Sequence, residues 1–224
     1  MRAVRGRRAA AALRLPLWIS LRTTRPRSAN YGFDRGTPID RFYFEEFLRE
    51  WRGDVRGDVL EVKSTAYAER FGSSVAKVDV LDVNRGNADA TVIADLGEPD
   101  SLPASAYDCF LLMQTLQYVA RPELALANAW SALRPGGVLL LTVPTVQMID
   151  AGLPDLWRFT PEGIEKLVQH ACTGAESAVR GYGNALTCSA FLLGLAAEEL
   201  RRDHLRESDL AFPVVTCARA RKPS

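Results

Sequence analysis

The stretch from Tyr107 to Pro144 limits the folds open to this chain more than any other. Tyr107-Asp108-Cys109-Phe110-Leu111-Leu112-Met113 is a short, nearly continuous apolar run, as in a strand covered on both faces. A helical pattern from about Pro122 to Leu133 follows, then Arg134-Pro135-Gly136-Gly137 as a stop, then a second apolar run, Val138 to Val143. Two buried strands joined through a helix must run parallel, because only a long crossover can return the chain to the same sheet edge. The unit is half of a doubly wound α/β domain.

The same grammar extends in both directions. Thr37-Pro38-Ile39-Asp40 reads as a helix start with Thr37 as N-cap, proline in the first turn and an acid at the third position. Phe44, Phe47, Leu48 and Trp51 then recur along one helical face. Gly53 and Gly57 precede a strand at Val59–Val62, a short helix at Ala66–Phe71, a strand at Ala76–Val83 and another at Thr91–Ala94. Beyond the second long strand, Thr160-Pro161-Glu162 caps a helix ending near His170. Glu176–Val179 reads as a strand, Leu186–Arg201 as a helix and Val214–Ala218 as a last strand.

Charge is spread unevenly. The net charge is +1, yet eight arginines (Arg2, Arg5, Arg7, Arg8, Arg14, Arg22, Arg25, Arg27) precede the first acid, Asp34, which leaves 1 − 8 = −7 for the rest. An acidic body repels a phosphate backbone, so no nucleic-acid partner is expected. Residues 1–30 are expected to be a basic tail, disordered or on a membrane surface, with a targeting segment as the alternative. Residues 31–224 are expected to be one domain. No apolar run reaches the length of a membrane span. Cys109, Cys172, Cys188 and Cys217 form no CxxC pair and the chain holds 2 histidines, so buried thiols in a reducing, cytoplasmic setting are expected and no metal.

In an open sheet of this kind ligands bind beyond the carboxyl ends of the strands, where the strand order reverses. That rule selects the residues after Val62, Val83, Ala94 and Met113. Asp95 is placed to accept from an adenine amino group, or to cap the next turn. Asp79 or Asp82, read as the end of the second strand, is placed to take ribose hydroxyls. Met113 and Gln114 close the next strand, and a polar Gln114 on a buried strand end needs a partner. The loop Glu61-Val62-Lys63-Ser64-Thr65-Ala66-Tyr67 carries Lys63, Thr65 and Tyr67 where a nucleotide-binding loop carries alternating glycines.

From Thr37 to about Lys222 the chain resembles the class I S-adenosylmethionine (SAM) dependent methyltransferases, in particular the small methyltransferase type 11 group. The resemblance rests on Val59-Leu60-Glu61-Val62, Ala94-Asp95-Leu96, Tyr107-Asp108 with Leu116-Gln117-Tyr118-Val119, Leu133-Arg134-Pro135-Gly136-Gly137, and Trp157-Arg158-Phe159-Thr160-Pro161-Glu162-Gly163. It implies a Rossmann-like seven-stranded sheet of order 3-2-1-4-5-7-6 with only strand 7 antiparallel. It also implies SAM as cofactor, with Glu61, Lys63, Thr65, Asp79 or Asp82, Asp95, Leu96, Met113 and Gln114 around it. Arg35 or Arg41 is expected to pair with the cofactor's carboxylate. Two departures stand out: the glycines are replaced, and Tyr118 occupies a place where relatives commonly carry histidine.

The expected reaction is methyl transfer to a small-molecule acceptor, such as a hydroxyl of a sugar, glycolipid or natural product. A hydroxyl acceptor needs a base, and Tyr118, Asp40 and Asp155 are the candidates, with Asp34 beside them. Trp157 and Arg158 are candidates for the acceptor pocket, an indole face being suited to stack on a sugar or flat ring. The alternatives are a catalytically inactive fold of the same kind serving as partner or scaffold, and a nucleotide-sugar or nicotinamide enzyme. The last lacks its G-x-G-x-x-G after the first strand.

Overall fold

A computed structural model describes residues 24–224, and the readings made of residues 1–23 lie outside the described residues. Seven strands, β1 (Arg56–Val62), β2 (Ser74–Asp82), β3 (Val92–Ile93), β4 (Tyr107–Met113), β5 (Leu133–Pro144), β6 (Glu176–Tyr182) and β7 (Val215–Arg221), form one sheet of order β3-β2-β1-β4-β5-β7-β6. Strands β1 to β5 pair in parallel, and β7 runs antiparallel to both β5 and β6. The expected topology is the observed one. It follows from apolar runs that are buried on both faces: Cys109, Phe110, Leu111 and Leu112 of β4 are all fully buried.

Alternate residues of each central strand feed opposite cores. Leu60, Phe110, Leu112 and Leu139 pack under α3 (Pro122–Ala132) and α4 (Pro161–Ala171). Val59, Cys109, Leu111 and Leu140 pack under α1 (Ile39–Glu50), α2 (Ala66–Phe71) and α5 (Ala185–Leu192). The apolar face of α1 supplies Phe44, Phe47 and Leu48, each worth about 1.5–3 kcal/mol when removed from water. Thr160 caps α4 as expected, accepting from the Gly163 N–H at 3.1 Å.

Other boundaries differ. Thr37 does not cap α1, which starts at Ile39 after an uncapped Pro38, because the Thr37 hydroxyl donates instead to Glu198 at 2.7 Å. The helix expected over Leu186–Arg201 is shorter: α5 stops at Leu192, a 3-10 turn takes Ala197–Glu199, and α6 (Arg202–Arg206) begins only beyond the expected end. The break falls at Gly194, whose φ of +72° favours glycine and whose Cα faces Ser28 so closely that a Cβ would lie 2.3 Å from the Ser28 carbonyl. That contact also shows chain ahead of residue 31 packed on the body: Ser28 is buried, and the Arg27 N–H donates to the Leu193 carbonyl at 2.6 Å. Among the described residues no helix is long and apolar enough to cross a membrane.

Candidate cofactor and acceptor site

Strand β1 has β2 on one side and β4 on the other, so the sheet order reverses there, and in open sheets of this kind ligands bind outside the carboxyl ends of those strands. Two surface grooves lie elsewhere. One of about 550 Å3 runs past Asn184, Glu207 and Leu210, and one of about 290 Å3 past Glu69, Gly72 and Val75. Neither gathers the unpartnered polar groups found at the strand ends.

The loop after β1 keeps a tight turn without glycine. Lys63 adopts φ +69°, and its N–H donates to the Leu81 carbonyl at 2.9 Å. Side chains at the other two glycine positions turn to protein partners. Thr65 donates its hydroxyl to Glu69 at 2.6 Å, and the Tyr67 ring packs on Phe44 and Phe71 with centroids 5.6 and 6.4 Å away. The Ser64 and Thr65 N–H groups have no hydrogen-bond partner among the described residues. Glu61 is buried and spends its two oxygens on the Tyr67 and Ala68 N–H groups, at 3.0 and 2.8 Å, and so anchors the start of α2. Burial lifts its carboxyl to about 7.

The two acids of β2 part company. Asp82 ends the strand. Burial pushes its carboxyl up, but the Asn84 N–H and the Asn87 side-chain amide, each at 2.9 Å, hold it below the ordinary value. Asp79, expected at the strand end, lies instead within β2 opposite Leu60. Lys77 at 2.8 Å, Thr91 at 2.9 Å and Tyr107 at 3.4 Å occupy its carboxylate. After β3, Asp95 is exposed, and one of its oxygens accepts from the Gly97 N–H at 2.7 Å. Its second oxygen and the neighbouring Leu96 N–H have no hydrogen-bond partner among the described residues. Met113 is 9 % exposed at the end of β4, and Gln114 follows at φ +47°, its Oε1 buried and unpartnered. A non-glycine residue held in that region costs about 1–3 kcal/mol, a strain that collects at functional sites.

A second polar group lies past β4 and β5. The Tyr118 hydroxyl donates to Asp150 at 3.4 Å, and burial first, then Asp150, raises the phenol to about 12. Asp155 receives two bonds from Arg158 at 2.5 and 2.8 Å, and that guanidinium holds it below the usual carboxylate range. Arg158 also donates to the carbonyls of Met148 and Trp157, at 3.2 and 2.8 Å, and so shapes the loop. Trp157 is fixed by its indole N–H on the Val119 carbonyl at 2.9 Å while the residue is 42 % exposed. Tyr31, from the leading segment, reaches Gln147 and feels the charge of Asp150. The Oε1 atoms of Gln117 and Gln147 are buried without a donor, as is that of Gln114.

The structure therefore brings Tyr118, Asp155, Trp157 and Arg158 together. It leaves Asp40 apart on the first turn of α1, with no hydrogen bond to any of them; burial raises its carboxyl to about 6. Arg35 pairs with Glu199. Sequence reasoning missed Tyr31, Asn87, Gln117, Gln147 and Asp150. Of these, only the polar Gln117 in an apolar segment had a signal that could have been read.

Residues 60–141 match the family described as Methyltransferase domain. A SAM-dependent methyltransferase from Mesorhizobium loti shares the fold at 16 % identity and TM-score 0.57, over 82 % of this chain and 100 % of that one. One from Archaeoglobus fulgidus does so at 14 % and 0.54, over 81 % and 94 %. Over residues 60–141 the chain is similar to that family, and its sheet has the fold of the SAM-dependent methyltransferases. No curated protein matches its sequence. The fold alone does not fix the reaction: the [4+2]-cyclase SpnF is similar at 18 % identity and TM-score 0.53, over 84 % of this chain and 83 % of that one.

Proposed function

We propose that this chain is a class I SAM-dependent methyltransferase that binds SAM across the ends of β3, β2 and β1 and methylates a hydroxyl of a small-molecule acceptor held beside Tyr118 and Trp157. The observation that carries the reading is the pairing at Asp95 and Leu96. A free carboxylate oxygen beside a free backbone N–H complements the amino group and ring nitrogen along one edge of adenine. Asp82 stands one strand away, and although its oxygens already accept two bonds, an ionised carboxylate has capacity for ribose hydroxyls as well. The loop fits the cofactor too, since its turn survives at Lys63 and the Thr65 and Tyr67 side chains have protein partners.

When bound, the sulfonium supplies an electrophilic methyl carbon. The protein's own work is orientation, water exclusion and removal of one proton from the acceptor hydroxyl. Tyr118, neutral until about pH 12, acts as a hydrogen-bond donor rather than a base. Asp155 is neutralised by Arg158 and holds that arginine in place. Asp150, facing Tyr118 and paired with no arginine among the described residues, is the carboxylate positioned to take the proton. The fixed, partly exposed Trp157 supplies a stacking platform suited to a sugar or flat-ringed acceptor.

The test is isothermal titration with SAM and S-adenosylhomocysteine on the wild type, Asp82→Ala and Asp95→Ala. Micromolar binding that each substitution weakens at least tenfold, roughly one lost charge-assisted bond, is the expected result. No heat at millimolar ligand overturns the enzyme reading in favour of a binding or scaffold role.

A further inference from the structure

Resting on the cofactor reading above, we infer that Arg41, and not Arg35, anchors the α-carboxylate at the amino-acid end of the cofactor. The direction of the ligand follows from the sheet. Asp95 after β3 faces the base, Asp82 at the end of β2 faces the ribose, and the next strand in order is β1. With neighbouring parallel strands about 4.8 Å apart, the third portion of an extended ligand falls over the loop Lys63–Thr65. An α-carboxylate there meets the unpartnered Ser64 and Thr65 N–H groups and needs a cation beside them.

Arg41 meets that need. It lies on the first turn of α1 with its guanidinium carbon 4.8 Å from the Phe33 ring centroid, 5.9 Å from that of Phe44 and 5.7 Å from that of Tyr67. Tyr67 opens α2 directly after the loop, so the shared ring places the arginine at the loop's edge. Among the described residues no carboxylate lies within ion-pair distance of Arg41, whereas Arg35, Arg70 and Arg158 are taken by Glu199, Glu45 and Asp155. Three aromatic faces hold the cation by its charge and leave its N–H fork to grip a carboxylate at two points. The aromatic at the third glycine position thus has work to do: Tyr67 helps hold the group that replaces glycine-loop contacts.

The test is a ligand-and-residue cycle by calorimetry. S-adenosylhomocysteine is compared with its decarboxylated analogue and with 5′-methylthioadenosine on the wild type, Arg41→Gln, Arg41→Lys and Arg35→Gln. In the wild type, loss of the ligand's carboxylate is expected to weaken binding on the order of ten- to a hundredfold. In Arg41→Gln that penalty shrinks to within about threefold while 5′-methylthioadenosine binds as in the wild type; Arg41→Lys restores part of it and Arg35→Gln leaves it intact. Equal weakening of all three ligands in Arg41→Gln, or an unchanged carboxylate penalty, overturns the assignment while the cofactor reading stands. Should Arg41→Gln fail to fold, Arg41→Lys decides: a penalty unchanged from wild type together with parallel weakening of every ligand overturns it. A wild type that binds none of the ligands overturns the cofactor reading, and this assignment with it.

Discussion

The side-chain amide of Asn87 lies 2.9 Å from the carbonyl of Lys63 and donates its other proton to the Asp82 carboxylate, also at 2.9 Å. One side chain thereby ties the loop after β1 to the end of β2, across the gap where glycine-loop backbone contacts would otherwise fix the geometry. Asn87→Ala removes both bonds and the one its carbonyl accepts from the Asp89 N–H at 3.0 Å. Destabilisation of about 1–2 kcal/mol is expected, with weaker S-adenosylhomocysteine binding. Asn87→Asp sets a second carboxylate against Asp82 and is expected to cost more. Urea unfolding and titration calorimetry measure both; an Asn87→Asp variant as stable as wild type would contradict the clamp.

Lys63 carries a φ of +69°, a region that costs a side-chain-bearing residue of the order of 1 kcal/mol. Lys63→Gly relieves that strain, partly offset by the greater freedom of glycine in the unfolded chain. The net expectation is a gain of up to about 1 kcal/mol, a rise in melting temperature of about 2–4 °C. Lys63→Ala keeps the Cβ and is expected to gain nothing. Equal stabilisation by alanine and glycine would place the effect in the lysine charge and not in the backbone.

The fold was legible in the sequence because its signals are local and redundant. The apolar run at Tyr107–Met113 needs no partner to announce a buried strand, and Thr160-Pro161 caps its helix from within one turn. The site was legible only in part because its assignments turn on distant partners. Thr37 looked like a cap until Glu198, 161 residues away, took its hydroxyl. Arg35 and Arg41 read alike in sequence; Glu199 neutralises one, and three rings cradle the other. Asp79 and Asp82, three residues apart, are told apart by Lys77, Thr91 and Tyr107 on the first and by Asn84 and Asn87 on the second. Loop residues such as Asp150 had no periodicity to mark them.

Glu61 gives the protein an unusual pH dependence. Its carboxyl sits near 7 in the folded state against 4.5 ordinarily, raised by burial, so between those values the folded chain holds more proton than the unfolded one. Stability must then fall as pH rises through that window, the reverse of an ion-paired acid. Asp40, raised to about 6, adds the same sign over a lower window. The acids held below their ordinary values, Asp79, Asp82 and Asp155, act at lower pH, where their stabilisation is lost on acidification. Glu61→Gln removes one titration, so its stability curve between pH 5 and 7 is expected to be flatter than wild type by about 2 kcal/mol overall. Urea midpoints at several pH values measure this; parallel curves would mean Glu61 stays ionised when folded.

Arg158 and Asp155 form the pair on which the loop after β5 depends. The Asp155 side chain is 1 % exposed and the Arg158 side chain 27 %, so the carboxylate has little recourse to water if its partner goes. Arg158→Met leaves that charge buried and also strips the Met148 and Trp157 carbonyls of a donor. A loss of about 3–5 kcal/mol is expected. Adding Asp155→Leu removes the stranded charge, and the double variant is expected to recover part of that loss. Recovery of stability without recovery of acceptor binding would separate the two roles, since the apolar pair fills the space but cannot hold Trp157 through its carbonyl. A double variant less stable than Arg158→Met alone would show that Asp155 contributes more through its bond to the Asp150 N–H, at 2.9 Å, than through its arginine.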